Sequence, residues 1–162
     1  MPIRNANTND LNNILSIYNW AVEQTVATFD TEIKNTNDHR DWFKDFDNGY
    51  PLKVIEIENK IIGFGLLKAF SDRKAYDTTC ELTIYILPGY QGQNLGSQMM
   101  DELIDSAKAK NIRVILSKIE AGSSASINIH KKFGFEVVGT MNKVGFKFDR
   151  WLDVTIMQKI LY

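Results

Sequence analysis

Three features of the chain predict a mixed α/β fold: a hairpin signal in its first half, a long amphipathic helix set between two strand patterns, and a tail that alternates over two runs. Ile3 to Asn7 forms a short opening strand. Thr8 or Asn9 is placed to cap the helix that comes next, and Asp10 favours its positive N-terminal end. Leu11, Ile14, Leu15, Tyr18 and Val22 recur at helical spacing and give that helix its apolar face. The period is lost from Thr25 to Thr36, a polar loop holding one aromatic, Phe29, which either lines a pocket or simply packs. A second helix is expected over Asp38 to Phe46, carrying Trp42, Phe43 and Phe46, before Asn48-Gly49-Tyr50-Pro51 stops it.

The hairpin runs Leu52 to Ile57, turns at Glu58-Asn59-Lys60, and returns over Ile61 to Lys68. Thr78 to Leu87 alternates Leu82, Ile84 and Ile86 against Glu81, Thr83 and Tyr85, as a strand with two unlike faces should, and Pro88-Gly89 ends it. The longest helix spans Leu95 to Lys110. Leu95, Met99, Met100, Leu103, Ile104 and Ala107 share one face, and Lys108 and Lys110 sit at its negative end. Arg113 to Ser117 reads as a buried strand, Ser124 to Phe133 as a short helix closed by Gly134, and Phe135 to Gly139 as the start of a strand. The tail alternates over Asn142 to Phe148 and again over Trp151 to Ile160.

Composition narrows the function classes. A chain of 162 residues with 24% charged and 44% hydrophobic residues suits one soluble domain with one sizeable core, here residues 1–162. Nineteen Lys plus Arg against 20 Asp plus Glu leave a net charge of −1, so no global attraction to nucleic acid or anionic lipid is expected. No apolar run approaches the ~20 residues a membrane span needs. The start, Met1-Pro2-Ile3-Arg4, lacks the pattern of a signal peptide, and Cys80 has no partner for a disulfide; both fit a cytoplasmic protein. With one cysteine, two histidines and no paired ligand spacing, no metal site is expected.

Chemistry concentrates in three places. The first is Gln91-Gly92-Gln93-Asn94-Leu95-Gly96-Ser97, between a strand and the longest helix. A loop of this kind is either an ordinary turn or an anion site, because unpaired amides and the helix dipole both favour phosphate there. The glycines do not lead into Lys-Ser or Lys-Thr, and their spacing fails the dinucleotide fingerprint. The second is Glu81, in the strand feeding that loop. By itself a mid-strand carboxylate reads first as an exposed-face residue, and otherwise as a placed acid or base. The third is the short helix, where Ser123, Ser126 and His130 share one face.

This combination resembles the GNAT superfamily of acetyl-CoA-dependent N-acetyltransferases, whose phosphate loop reads Gln/Arg-x-x-Gly-x-Gly/Ala and falls here on Gln91 to Gly96. Within it, the chain is similar to the phosphinothricin and methionine sulfoximine acetyltransferase group. The stretches that carry this are Ala75-Tyr76, Glu81 to Ile86, Ala125 to Phe135 and Val144 to Val154, with Ile17-Tyr18-Asn19 and Thr28-Phe29 near the start. Two positions depart from the pattern: Asn94 stands where a glycine is usual, and Ser123 where an asparagine is common. Asn is the residue other than glycine that best tolerates a positive φ, and Ser123 still caps, with shorter reach.

The resemblance implies one mostly antiparallel central sheet flanked by helices, acetyl-CoA as co-substrate without a metal, and a homodimer. It implies transfer of acetyl to the α-amino group of a small acidic amino acid or analogue, of the phosphinothricin or methionine sulfoximine type, with another small amine or amino acid, or a non-catalytic acyl-CoA-binding regulator, as the rivals. Carried over residue by residue, it assigns coenzyme contacts to Ile84, Tyr85, Ile86, Gln91, Gly92, Gln93, Asn94, Leu95, Gly96, Ser97, Ser123 and Ser126. It assigns the acceptor to Phe29, Arg73, Tyr76, Thr83 and Tyr85; the Arg73 guanidinium is either a clamp for the acceptor carboxylate or a solvated loop charge beside Lys74. An amino-acid ammonium with a pKa of about 9 to 10 must lose a proton before attack, at roughly 3–4 kcal/mol near neutral pH. Glu81 is the expected base, and His130 either protonates the leaving thiolate or shares the base role.

Overall fold

The structure is a computed structural model that describes residues 2–37, 46 and 48–162. The helix expected over Asp38 to Phe46 lies outside the described residues, apart from Phe46. Strand β1 is Ile3–Asn5. The cap after it is Asn7 rather than Thr8 or Asn9: its side chain accepts from the Asn9 amide at 2.9 Å, while Asp10 accepts from the Asn7 amide at 2.8 Å. This reciprocal pair needs an acid three residues after the cap, which only Asn7 has, and it closes a 3₁₀ turn that leads into α1, Leu11–Gln24.

The hairpin is β2, Leu52–Ile57, and β3, Lys60–Ala69. Glu58 and Asn59 both take positive φ, the two-residue turn whose twist matches paired strands. Strand β4 is Thr79–Ile86, helix α2 is Leu95–Ala109 and β5 is Val114–Glu120, which ends three residues later than its apolar run suggested. Helix α3 is Ser124–Lys132, ended by Gly134 at φ +83°. The tail forms one hairpin, β6 (Glu136–Lys147) and β7 (Arg150–Ile160), turning on Phe148 and Asp149.

These strands make one seven-stranded sheet in the order β1-β2-β3-β4-β5-β7-β6, antiparallel except between β4 and β5. Alternation along β2 and β3 sorts apolar side chains to two faces. Val54, Ile61, Phe64 and Leu66 meet Ile14, Ile17, Tyr18 and Val22 of α1. Ile55, Ile62 and Leu67 meet Met99, Met100 and Leu103 of α2 on the other side. The second contact is close: a Cβ at Gly65 would come within 2.7 Å of the Met99 side chain and 3.0 Å of Leu103. Since Met99 is fully buried, Met99→Ala is expected to cost about 2–5 kcal/mol of stability.

Two irregularities interrupt the sheet. The parallel ladder between β4 and β5 covers only Thr79 to Glu81 against Val114 to Leu116, after which the strands part. In β6, residues 142–144 bulge opposite Asp153, between the pairs Met141↔Val154 and Gly145↔Leu152. The Asp153 carboxylate pins the bulge by accepting from the Lys143 amide at 2.7 Å.

Candidate active site

Where β4 and β5 part, a cavity of about 830 Å³ opens, walled by both strands, α1, the loop after it, α3 and the bulged part of β6. Of the residues singled out from the sequence, Phe29, Glu81, Thr83, Ile84, Tyr85, Ile86, Gln91, Gly96, Ser123, Ser126 and His130 line it. Arg73 and Tyr76 do not. They lie exposed on the turn before β4, where the Tyr76 ring packs edge-on against Phe70 at 5.0 Å, so the expected clamp is not brought to the cavity wall. Leu95 and Ser97 are buried in the first turn of α2, the Leu95 side chain in the core, which leaves their backbone as the part able to meet a ligand.

Glu81 corrects the exposed-face reading: it is 8% exposed. Register explains why the buried carboxylate is tolerated. Lys68 stands directly opposite on β3 with Nζ 3.3 Å from one carboxylate oxygen, and Lys118 reaches over from β5 to 2.8 Å from the other. Two half-exposed ammonium groups therefore offset the burial of one carboxylate at the fork of the strands.

His130 is buried against the edge of Phe135 and holds two hydrogen bonds. The Ser126 carbonyl, 2.7 Å from Nδ1, can only accept, so Nδ1 carries the ring proton. Nε2 then accepts from the Ser117 hydroxyl at 2.9 Å. Burial lowers the imidazole from the ordinary histidine value and so favours its neutral form. Ser117, itself buried and lining the cavity, was not singled out by the sequence, where its signal is a lone hydroxyl at the end of an apolar strand.

A second polar group anchors the loop after α1. The Tyr18 hydroxyl bonds Asp30 and, at 3.0 Å, the Thr28 hydroxyl. Asn19 bonds both the amide and the carbonyl of Lys34, and the buried Lys147 ammonium donates to the Thr28 carbonyl at 2.8 Å. Tyr85 lies beside them, its phenol pushed up to about 12 by burial. Tyr18 thus serves the loop as well as the core, which helical spacing alone did not reveal. Cys80 is buried in the sheet, its thiol also pushed up to about 12 by burial, which disfavours the reactive thiolate.

At the other end of the cavity lies the loop before α2, from which Gln91 and Gly96 reach the wall. Asn94 takes the left-handed conformation, φ +61° and ψ +14°, and its side chain does not cap the helix. Among the described residues no side chain caps the first amides of α2. Gly96 keeps its Cα bare on the cavity wall, where a Cβ would meet only Ile129 and Ile86, at 3.5 and 3.8 Å.

The family model described as "Acetyltransferase (GNAT) domain" matches residues 3–156. The chain belongs to the GNAT acetyltransferase family. This acetyltransferase is 35% identical over 158 residues to the L-methionine sulfoximine/L-methionine sulfone acetyltransferase of Pseudomonas aeruginosa, covering 96% of this chain and 92% of that one. It is 35% identical to an L-amino acid N-acyltransferase of Escherichia coli K12, over 98% of this chain and 92% of that one. Among solved structures, a GNAT phosphinothricin acetyltransferase from Sinorhizobium meliloti in complex with AcCoA superposes with a TM-score of 0.94 at 33% identity, covering 99% of this acetyltransferase and 89% of that chain. Among the described residues no group of three or more His, Cys, Asp or Glu is placed to hold a metal, and no helix is long and apolar enough to cross a membrane.

Proposed function

We propose that this enzyme transfers an acetyl group from acetyl-CoA to the α-amino group of a small amino acid of the methionine sulfoximine or phosphinothricin type. The observation that carries the reading is Glu81: a buried carboxylate at the fork of β4 and β5, in the same cavity as the α2 N-terminus. The names of the relatives and the acetyl-CoA complex of a neighbour support the two substrates.

The residues present suit the coenzyme. The loop Gln91, Gly92, Gln93 and Asn94 with the amides of Leu95, Gly96 and Ser97 would hold the pyrophosphate, since uncapped amides at the start of a helix favour an anion. Ile84, Tyr85 and Ile86 border the cavity along the edge of β4 that β5 has left, and Ser123 and Ser126 line the same cavity. Bound there, acetyl-CoA supplies the activated acetyl group. Glu81 takes the proton of the acceptor ammonium on a carboxylate oxygen, directly or through water. His130 has no N–H turned to the cavity, so its geometry supports the base role rather than protonation of the thiolate: a proton reaching the Ser117 oxygen passes the hydroxyl proton on to Nε2. Phe29, Thr83 and Tyr85 wall the acceptor end.

The same reading includes a cytoplasmic homodimer without nucleic-acid or membrane partners. Strand β6 ends the sheet, and Val138, Val144, Phe146 and Trp151 are each more than half exposed, an apolar surface suited to a second copy. The deciding experiment is thiol release from acetyl-CoA with phosphinothricin, methionine sulfoximine, common amino acids and amines lacking a carboxylate. Turnover confined to amino acids supports the reading. Coenzyme binding without turnover on any acceptor favours the non-catalytic regulator, and faster turnover of simple amines favours a different acceptor.

A further inference from the structure

We infer that Gly145 sets the width of the acceptor end of the cavity by seating the Phe29 ring on its bare Cα. A Cβ built at Gly145 would lie 2.3 Å from Phe29 Cε2 and 2.5 Å from Cδ2, far inside contact distance. Gly145 is not among the residues of positive φ, so its lack of a side chain answers to space and not to a turn. Nor can either backbone yield easily. The loop is held beside Phe29 by Lys147 and Tyr18 at Thr28, and by Tyr18 at Asp30. The strand is held by the Lys143–Asp153 bond and by the pairing of Gly145 with Leu152. The displaced group is therefore the ring. With the strand behind it and the cavity it lines in front, it moves into the cavity. Gly145 is thus a positioning residue for specificity, acting through Phe29, and this rests on the proposal that Phe29 walls the acceptor.

The test compares the wild-type enzyme, Gly145→Ala, Phe29→Ala and the double variant on L-alanine and L-methionine sulfone. Gly145→Ala is expected to lower kcat/KM for methionine sulfone relative to alanine by about tenfold or more, the range for a change of one methylene in an apolar pocket, with KM for acetyl-CoA unchanged. In the Phe29→Ala background the same substitution is expected to leave the ratio unaltered. An unchanged ratio in the first comparison, or an equal change in both backgrounds, overturns the inference. If the wild-type enzyme acetylates neither amino acid, the acceptor reading fails by itself. Thermal unfolding of the four proteins then decides the role of Gly145: destabilisation by Gly145→Ala that disappears with Phe29→Ala upholds it, and additive effects overturn it. Should Gly145→Ala alone not fold, recovery of folding in the double variant supports the inference and failure to recover overturns it.

Discussion

Replacing Glu81 by Gln separates chemistry from stability, because the structure sets the two effects on different scales. The amide keeps the shape of the side chain and still accepts a hydrogen bond from Lys68 or Lys118, whose side chains are 43% and 56% exposed and can rehydrate. Ion pairs of that exposure are worth about 0.2–1 kcal/mol, and 1 kcal/mol shifts Tm by about 2–4 °C in a chain of this size. Loss of a positioned base costs roughly 10²–10⁴ in rate, or about 2.7–5.5 kcal/mol at the transition state. Glu81→Gln is therefore expected to unfold within a few degrees of wild type yet release thiol at least a hundredfold more slowly at pH 7. The deficit should shrink toward pH 10, where the acceptor is already a free amine. Thiol release at saturating acetyl-CoA and methionine sulfoximine, with a melting curve on the same sample, reads both. Turnover within a few fold of wild type at pH 7, or a deficit that does not change with pH, refutes Glu81 as the base.

The other polar groups give three further expectations. Burial lowers His130 from its ordinary value of 6.5 in the fold, so the unfolded chain binds its proton first on acidification. The stability it contributes is present above pH 6.5 and is lost as pH falls below it, by up to about 1.4 kcal/mol per pH unit, and denaturant curves at pH 5 and pH 8 should show His130→Gln flattening that slope. Ser117→Ala removes the donor that favours the neutral ring, so the His130 titration followed by NMR should move up toward 6.5, whereas a downward shift would contradict the tautomer assigned here. Asn94→Asp keeps the left-handed backbone accessible but places a negative charge at the phosphate loop. Acetyl-CoA affinity should fall roughly fivefold at low salt and recover as salt rises, the scale of about 1 kcal/mol for two charges near water, and unaltered affinity would remove the pyrophosphate from this loop.

What the sequence made legible is local. Helix α2 could be read from one face, Leu95 to Ala107, because six apolar residues at helical spacing leave a single way to bury them, and all six are buried. The left-handed Asn94 could be anticipated from the residue type. The environment of Glu81 could not. Its partners lie on β3 and β5, at positions 13 residues before it and 37 after, and only strand register brings them together. Ser117 was hidden for the same reason, its hydroxyl meeting a ring thirteen residues later on another element. Lys147 and Gly145 sat in a run read simply as alternating, while the bulge and the distant loop after α1 give them their work.

The short ladder between β4 and β5 has a mechanical meaning. The sheet is two hydrogen-bonded plates, β1 to β4 and β5 to β6, joined at a seam only three residue pairs long and spanned by α2 through the chain. The cavity occupies the place where a complete sheet would hold further rungs. A molecule that grips both plates there takes the part of the missing rungs, and it binds the folded chain alone, so at a concentration a hundred times its Kd it adds about 2.7 kcal/mol of stability. Resistance to unfolding in this enzyme should accordingly rise and fall with its coenzyme supply, most visibly in the exchange of amides along the seam.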